Sequence, residues 1–106
     1  MIKAVFYKKN GLFGGFNVSG HAGYAENGSD VVCAAVSSAV MLSANLLTDS
    51  FGEKAKVSAK GDTISLKCNS EVCGKVLSAL YEHLEYISQE YKGTVSIIIK
   101  EEKNHA

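Results

Sequence analysis

Hydrophobic and polar positions alternate at both ends of the chain and recur at helical spacing between them. Residues 2–8, IKAVFYK, and 12–18, LFGGFNV, are rich in strand formers. Asn10-Gly11 between them is a hairpin signal, because both residue types tolerate the positive φ of a tight turn. Gly14 and Gly15 interrupt the second strand and mark a bulge or a close approach of backbone. A helix is expected from residue 30 to about 49, capped by Ser29 or Asp30 and ended by Phe51-Gly52. Its expected buried face is Val32, Ala35, Val36, Ala39, Leu42 and Leu46. Residues 56–68 read as a second hairpin: Val57 and Ala59 alternate on one arm, Ile64 and Leu66 on the other, and Lys60-Gly61-Asp62 makes the turn. A second helix, about 71–92 with Ser70 as cap, carries Val72, Val76, Leu80, Leu84, Ile87 and Tyr91 at spacings of three and four. Gly93 suits its C′ position. Residues 94–100, TVSIIIK, form a last strand whose consecutive isoleucines predict burial on both faces. The tail EEKNHA reads as polar and frayed.

The order β-β-α-β-β-α-β predicts an α+β fold, with two helices packed on a mostly antiparallel sheet. A length of 106 residues fits a single domain, 1–106. Such a chain buries roughly 65% of its unfolded surface, enough for a core without staples. Eleven lysines, with no arginine, balance eleven acidic residues. That balance gives no footprint for sequence-independent nucleic-acid binding, so no direct nucleic-acid partner is expected. The missing arginine also removes the usual bidentate reader of phosphate and guanine. No continuous apolar run approaches the roughly 18 residues of a membrane span, and Lys8 and Lys9 follow too soon for the start to be a signal peptide. A cytoplasmic protein without a membrane partner is expected. Three cysteines argue against a disulfide framework and for free thiols. Cys68 and Cys73 are spaced too widely for a zinc knuckle, with His83 on the second helix away from them. They are read as ordinary side chains, with no metal and no cofactor. His105 in the tail is expected to be solvated. Tyr81, Tyr86 and Tyr91, five apart, do not repeat on one helix face and make no base-stacking platform.

The chemistry concentrates in residues 19–40. His21 stands in a glycine-rich segment and Cys33 in the expected first turn of the helix that follows, twelve residues on. A helix start favours an anion, and a thiolate is one. An imidazole within reach takes the thiol proton and, as imidazolium, stabilises the thiolate further. So short a connection folds back at little entropic cost. Gly20, Gly23 and Gly28 let backbone N–H groups approach a bound peptide. Tyr24 is a candidate apolar anchor, and with Phe16 a candidate lining for an apolar substrate residue. The N–H of Cys33 is a candidate oxyanion donor. Asp30 either caps the helix or orients His21. Ser37, one turn after Cys33, shares its face. On residues alone the competing reading is a non-catalytic peptide-binding module, with Cys33 and His21 as remnants or packing groups. A redox-sensing thiol is a third.

The stretch GHAGYAENGSDVVCAAVSSAV resembles the signature of the ribosomal-processing cysteine protease family, Prp. Gly20, His21, Ala22, Gly23, Asp30, Cys33 and Ser37 match it in order and spacing. The resemblance implies a bacterial cysteine endopeptidase with Cys33 as nucleophile and His21 as proton-transfer partner. It implies that Gly20, Ala22, Gly23 and Tyr24 belong to a loop that orders over substrate. The implied substrate is the N-terminal extension of a large-subunit ribosomal protein, cut through a thioester, and the implied assembly is a homodimer. The same resemblance would make the non-catalytic module a ribosome-binding one.

Overall fold

The computed structural model describes residues 1–20 and 29–102, and of residues 29 and 30 the backbone alone. Strands β1 (Ile2–Lys9) and β2 (Leu12–Ser19) lead into helix α1 (Ser29–Asn45), which runs on through a π-helical turn (Leu46–Ser50). Strands β3 (Lys56–Lys60) and β4 (Thr63–Lys67), helix α2 (Glu71–Glu90) and strand β5 (Val95–Glu101) follow. The expected α+β order is the one observed. The five strands form one sheet in the order β3-β4-β2-β1-β5. Its pairs are antiparallel except β1–β5, which is parallel.

The first hairpin is built as its residues dictate. Asn10 and Gly11 both take positive φ, 53° and 80°, so the two strands reverse in the tightest turn available. Tyr7 pairs with Gly15 but Lys8 with Phe13, which leaves Gly14 as the extra residue of a bulge. Gly15 makes the close approach: a Cβ there would lie 2.7 Å from the Leu66 carbonyl oxygen of β4.

Both helices cover one face of the sheet, against Ile2, Ala4, Phe6, Phe16, Val18 and Leu66. Ser70 caps α2, its Oγ accepting from the Cys73 N–H at 3.0 Å. The buried stripe of α2 is Cys73, Leu77, Leu80, Leu84 and Ile87. Val72 and Tyr91, expected in it, are exposed. The apolar band of this helix is wider than one stripe, and its leucines take the centre. Phe6 meets Phe13 at 5.6 Å and Tyr81 at 5.4 Å, both edge-on, and so pins α2 to the sheet. Burial first, then the hydrogen bond and charge of Glu85, raise the Tyr81 phenol above its ordinary 10.0.

Helix α1 departs further from expectation. Val32, Val36, Val40, Ala44 and Leu47 are buried, whereas Leu42 is 61% exposed and Ala35, Ala39 and Leu46 are half-buried. Small apolar residues surround this helix, so the pattern offers no single face, and the larger valines at i, i+4 decide the phase. In its last turns the Ser43 and Thr48 hydroxyls donate to the Ala39 and Ala44 carbonyls at 2.8 and 3.0 Å. Such back-bonding loosens a helix. The ladder widens there, with the Phe51 N–H reaching the Leu46 carbonyl five residues back, at 2.8 Å. By length and composition Val31–Ser50 is sufficient to cross a membrane. Serines interrupt it, which hides it from a count of consecutive apolar residues. Here its valine stripe lies in the core.

Two further expectations are corrected. Ile98 and Ile99 are 44% and 39% exposed, because β5 is an edge strand and the helices cover one face only. Cys68 and Cys73 are joined in a disulfide, not left as free side chains. The three-residue connection from β4 folds the first turn of α2 back over the strand end and brings their Cα atoms to 6.1 Å, within the range a bridge requires.

Candidate active site

The chain leaves the sheet at Gly20, the residue before His21. Gly20 has φ +91°, and a Cβ there would run into the Met1 carbonyl oxygen and stand 3.2 Å from the Ile2 Cα. Glycine is therefore required on two counts, backbone conformation and space. The Gly20 N–H donates to Asp62 Oδ2 of the β3–β4 turn at 3.2 Å. Strand β1 and a distant hairpin thus fix the point from which the histidine-bearing segment departs. Gly20→Ala is expected to destabilise the fold by about 1–3 kcal/mol, read as a lower midpoint in urea denaturation. His21, Ala22, Gly23 and Tyr24 lie outside the described residues.

The chain is described again from Ser29, where α1 begins one residue earlier than expected. Asp30 is the second residue of the helix; its side chain, and hence its choice between cap and orienter, lies outside the described residues. Cys33 is the fifth residue, just past the first turn, not within it. At that position the helix pairs the Cys33 N–H with the Ser29 carbonyl, whereas the N–H groups nearer the helix start have no partner within the helix.

Cys33 is half-buried and packs on the core, between the fully buried Val32 and Val36. Ser37 is half-buried one turn further on. The pair runs along the seam where the core meets solvent. Phe16 is not available to a substrate pocket. It is fully buried on the helix-facing side of β2, 6.1 Å from the Phe6 ring. The Asp62 tether had no local signal in the sequence, because it joins positions 42 residues apart.

A family model described as cysteine protease Prp matches residues 1–96. The chain belongs to the Prp family of cysteine proteases. No curated protein matches it at the sequence level. Among solved structures it is similar to SMU.848 from Streptococcus mutans, 23% identical with a TM-score of 0.85 over 96% of each chain. It is also similar to the essential ribosomal processing protease Prp from S. aureus in complex with a substrate peptide. There the identity is 21% and the TM-score 0.87, over 94% of this chain and 100% of that one. The same S. aureus protease with a covalently linked product peptide gives 23% and 0.83, over 94% and 100%. These likenesses establish a shared Prp fold. As a Prp-family chain, this protein is a cysteine protease.

Proposed function

We propose that this Prp-family protein is an endopeptidase in which Cys33 is the nucleophile and His21 its proton-transfer partner. One observation carries the choice of nucleophile. A cysteine protease needs a thiolate, and of three cysteines Cys68 and Cys73 are bonded to each other. Cys33 is left, at the half-buried seam of α1. His21 is carried by the segment that Gly20 launches, and it matches the family signature in spacing. The family assignment does not favour the reading of Cys33 as a mere packing group.

The reaction is thiol-protease chemistry. The Cys33 sulfur attacks the scissile carbonyl carbon, and N–H groups at the start of α1 stabilise the oxyanion. The tetrahedral species collapses, the C–N bond breaks, and the His21 imidazolium protonates the departing amine. His21 then takes a proton from water, whose oxygen attacks the thioester and releases the carboxylate and the Cys33 thiolate. Asp30 and Ser37 support the pair, and Ala22, Gly23 and Tyr24 belong to the loop that engages the peptide, departing from the point that Gly20 fixes. The substrate is the N-terminal extension of a large-subunit ribosomal protein. Its support is the S. aureus relative, a ribosomal processing protease seen with substrate and product peptides. The setting is cytoplasmic, where thiols are normally kept reduced; there Cys73 remains fully buried in the core, and the family signature favours Cys33. The protein acts as a homodimer, supported by an apolar groove between α1 and α2 lined by Leu42, Leu46, Phe51 and Val76.

Alkylation by iodoacetamide across a pH series, followed by mass spectrometry, tests the Cys33–His21 pairing. Without reductant the bridge protects Cys68 and Cys73, so label should enter at Cys33. Alkylation should be fast near neutral pH and slow clearly in His21→Ala. Identical pH–rate curves for the two proteins would sink the pairing.

A further inference from the structure

The face of the sheet turned away from the helices carries a charge that the zero balance of the whole chain conceals. The strand registers place it. Lys56 of β3 lies opposite Lys67 of β4, and Lys67 opposite Gly15 of β2. Gly15 lies opposite Tyr7 of β1, and Tyr7 opposite Lys100 of β5. One row therefore crosses all five strands, about 19 Å at roughly 4.8 Å per strand. The next row on this face holds Ser58, Ser65 and Asn17 side by side on β3, β4 and β2, and continues into Val5 and Ile98 on β1 and β5. Beyond it stand Lys60 on β3 and Lys3 on β1.

All five of these lysines are exposed. Among the described residues the ion pair formed is Lys75–Glu71 on α2, so none of the five is matched by a carboxylate. Lys56 directly opposite Lys67 costs stability, since like charges on facing positions repel. Many of the balancing acids sit on the other side of the molecule, on α2: Glu71, Glu82, Glu85 and Glu90. Two carboxylates border the lysine face. Glu102 lines a small trough over Gly15, between Tyr7 and Lys67, and Asp62 at the β3–β4 turn is engaged by the Gly20 N–H. The trough exists because the Leu66 carbonyl leaves no room for a Cβ at Gly15. On its far side the Tyr7 hydroxyl accepts from Asn17 Nδ2 at 3.0 Å, which holds the ring in place.

We propose that this face binds single-stranded RNA through its phosphodiester backbone. Lysine is a point charge suited to phosphate, and with no arginine the face has no fork for reading base edges. It is broad, and none of its elements enters the groove of a duplex. The hydroxyl and amide row between the two lysine rows offers partners to 2′-hydroxyls, and Tyr7 offers a ring to a base. A second copy of the chain is a poor occupant, because a two-fold contact would set lysine against lysine. The sequence-based expectation of no nucleic-acid partner rested on net charge, which averages over both faces, and on the missing arginine, which removes bidentate reading but leaves lysine contacts to phosphate.

Fluorescence anisotropy with a short labelled oligouridylate, titrated across potassium chloride concentrations, tests this. Binding should be salt-dependent. Contact with three or four phosphates gives a slope of log K against log salt of about −2 to −3. The triple variant Lys56→Gln, Lys67→Gln, Lys100→Gln should lose about 2 units of that slope, and Lys100→Gln alone a smaller part. The triple variant should still cleave peptide at the wild-type rate and unfold at or above the wild-type temperature, since it removes a repulsion. Lys75→Gln with Lys92→Gln should leave the slope unchanged. The proposal is overturned by absence of binding at low salt, by a slope that survives the triple variant, or by equal loss in the Lys75, Lys92 control. Equal affinity for the matching deoxyoligonucleotide, or tighter binding of polyglutamate, would overturn the commitment to RNA.

Discussion

Cys33→Ala is expected to abolish peptide cleavage while the peptide still binds. The sulfur supplies the electron pair that forms the thioester, and alanine offers none. Loss of a covalent nucleophile costs on the order of 10⁴-fold or more, the remainder reflecting binding and oxyanion stabilisation alone. The fold should be indifferent, because Cys33 is half-buried at the margin of the core and alanine is already its neighbour at Ala34 and Ala35. Incubation of the variant with a peptide spanning the proposed junction, followed by mass spectrometry, reads the loss. Anisotropy with the same peptide reads retained binding. A variant that cuts at the wild-type rate would remove Cys33 from the chemistry, since Cys68 and Cys73 are engaged with one another. The two readouts together separate loss of a nucleophile from loss of a binding surface.

What could be read from the residues was what short-range chemistry decides. Asn10-Gly11 admits few conformations, and the observed pair of positive φ values is the expected one. Gly14 and Gly15 signalled a bulge or a close approach, and the structure has both, the bulge at Gly14 and the closer approach at Gly15. Ser70 was legible as a cap because its hydroxyl has one good use there. Misreadings began where several phases or partners were equivalent. Helix α1 has alanines and valines on every side, so its buried stripe is chosen by the sheet beneath it. The isoleucines of β5 signalled a buried strand, but exposure depends on whether another strand lies beyond, which no local window contains. The bridge between Cys68 and Cys73 needed the path of the chain between β4 and α2. The site divides the same way. Cys33 near a helix start and its spacing from His21 were visible along the chain. The tether from Asp62 to Gly20 was not, because it is a contact between two turns brought together by the sheet. The lysine face was hidden for a related reason: a charge total carries no direction, whereas strand register does.

Phe6→Ala is expected to be the most destabilising single change in the core, at about 3–5 kcal/mol. That is a large share of the roughly 5–15 kcal/mol that holds a domain of this kind together. Phe6 is fully buried on β1, between the two neighbouring strands of the sheet and beneath α2. Its ring is common to three aromatic contacts, with Phe13, Phe16 and Tyr81 at 5.6, 6.1 and 5.4 Å. Removing it takes away the shared partner and leaves a cavity walled by the other rings. Those rings cannot close it easily. Phe13 is held from the far side by the Lys8 ammonium 4.7 Å from its centroid, and Tyr81 rides on α2. Urea denaturation should show a lower midpoint with an unchanged slope. At temperatures where the variant remains folded, iodoacetamide should label Cys33 at the wild-type rate, because Cys33 lies half-buried at the margin of the core whereas Phe6 is fully buried on β1. A variant that lost reactivity in step with stability would show instead that the aromatic cluster and the α1 seam form one unit. Cys33 would then owe its setting to the packing of α2 as well as to its own helix.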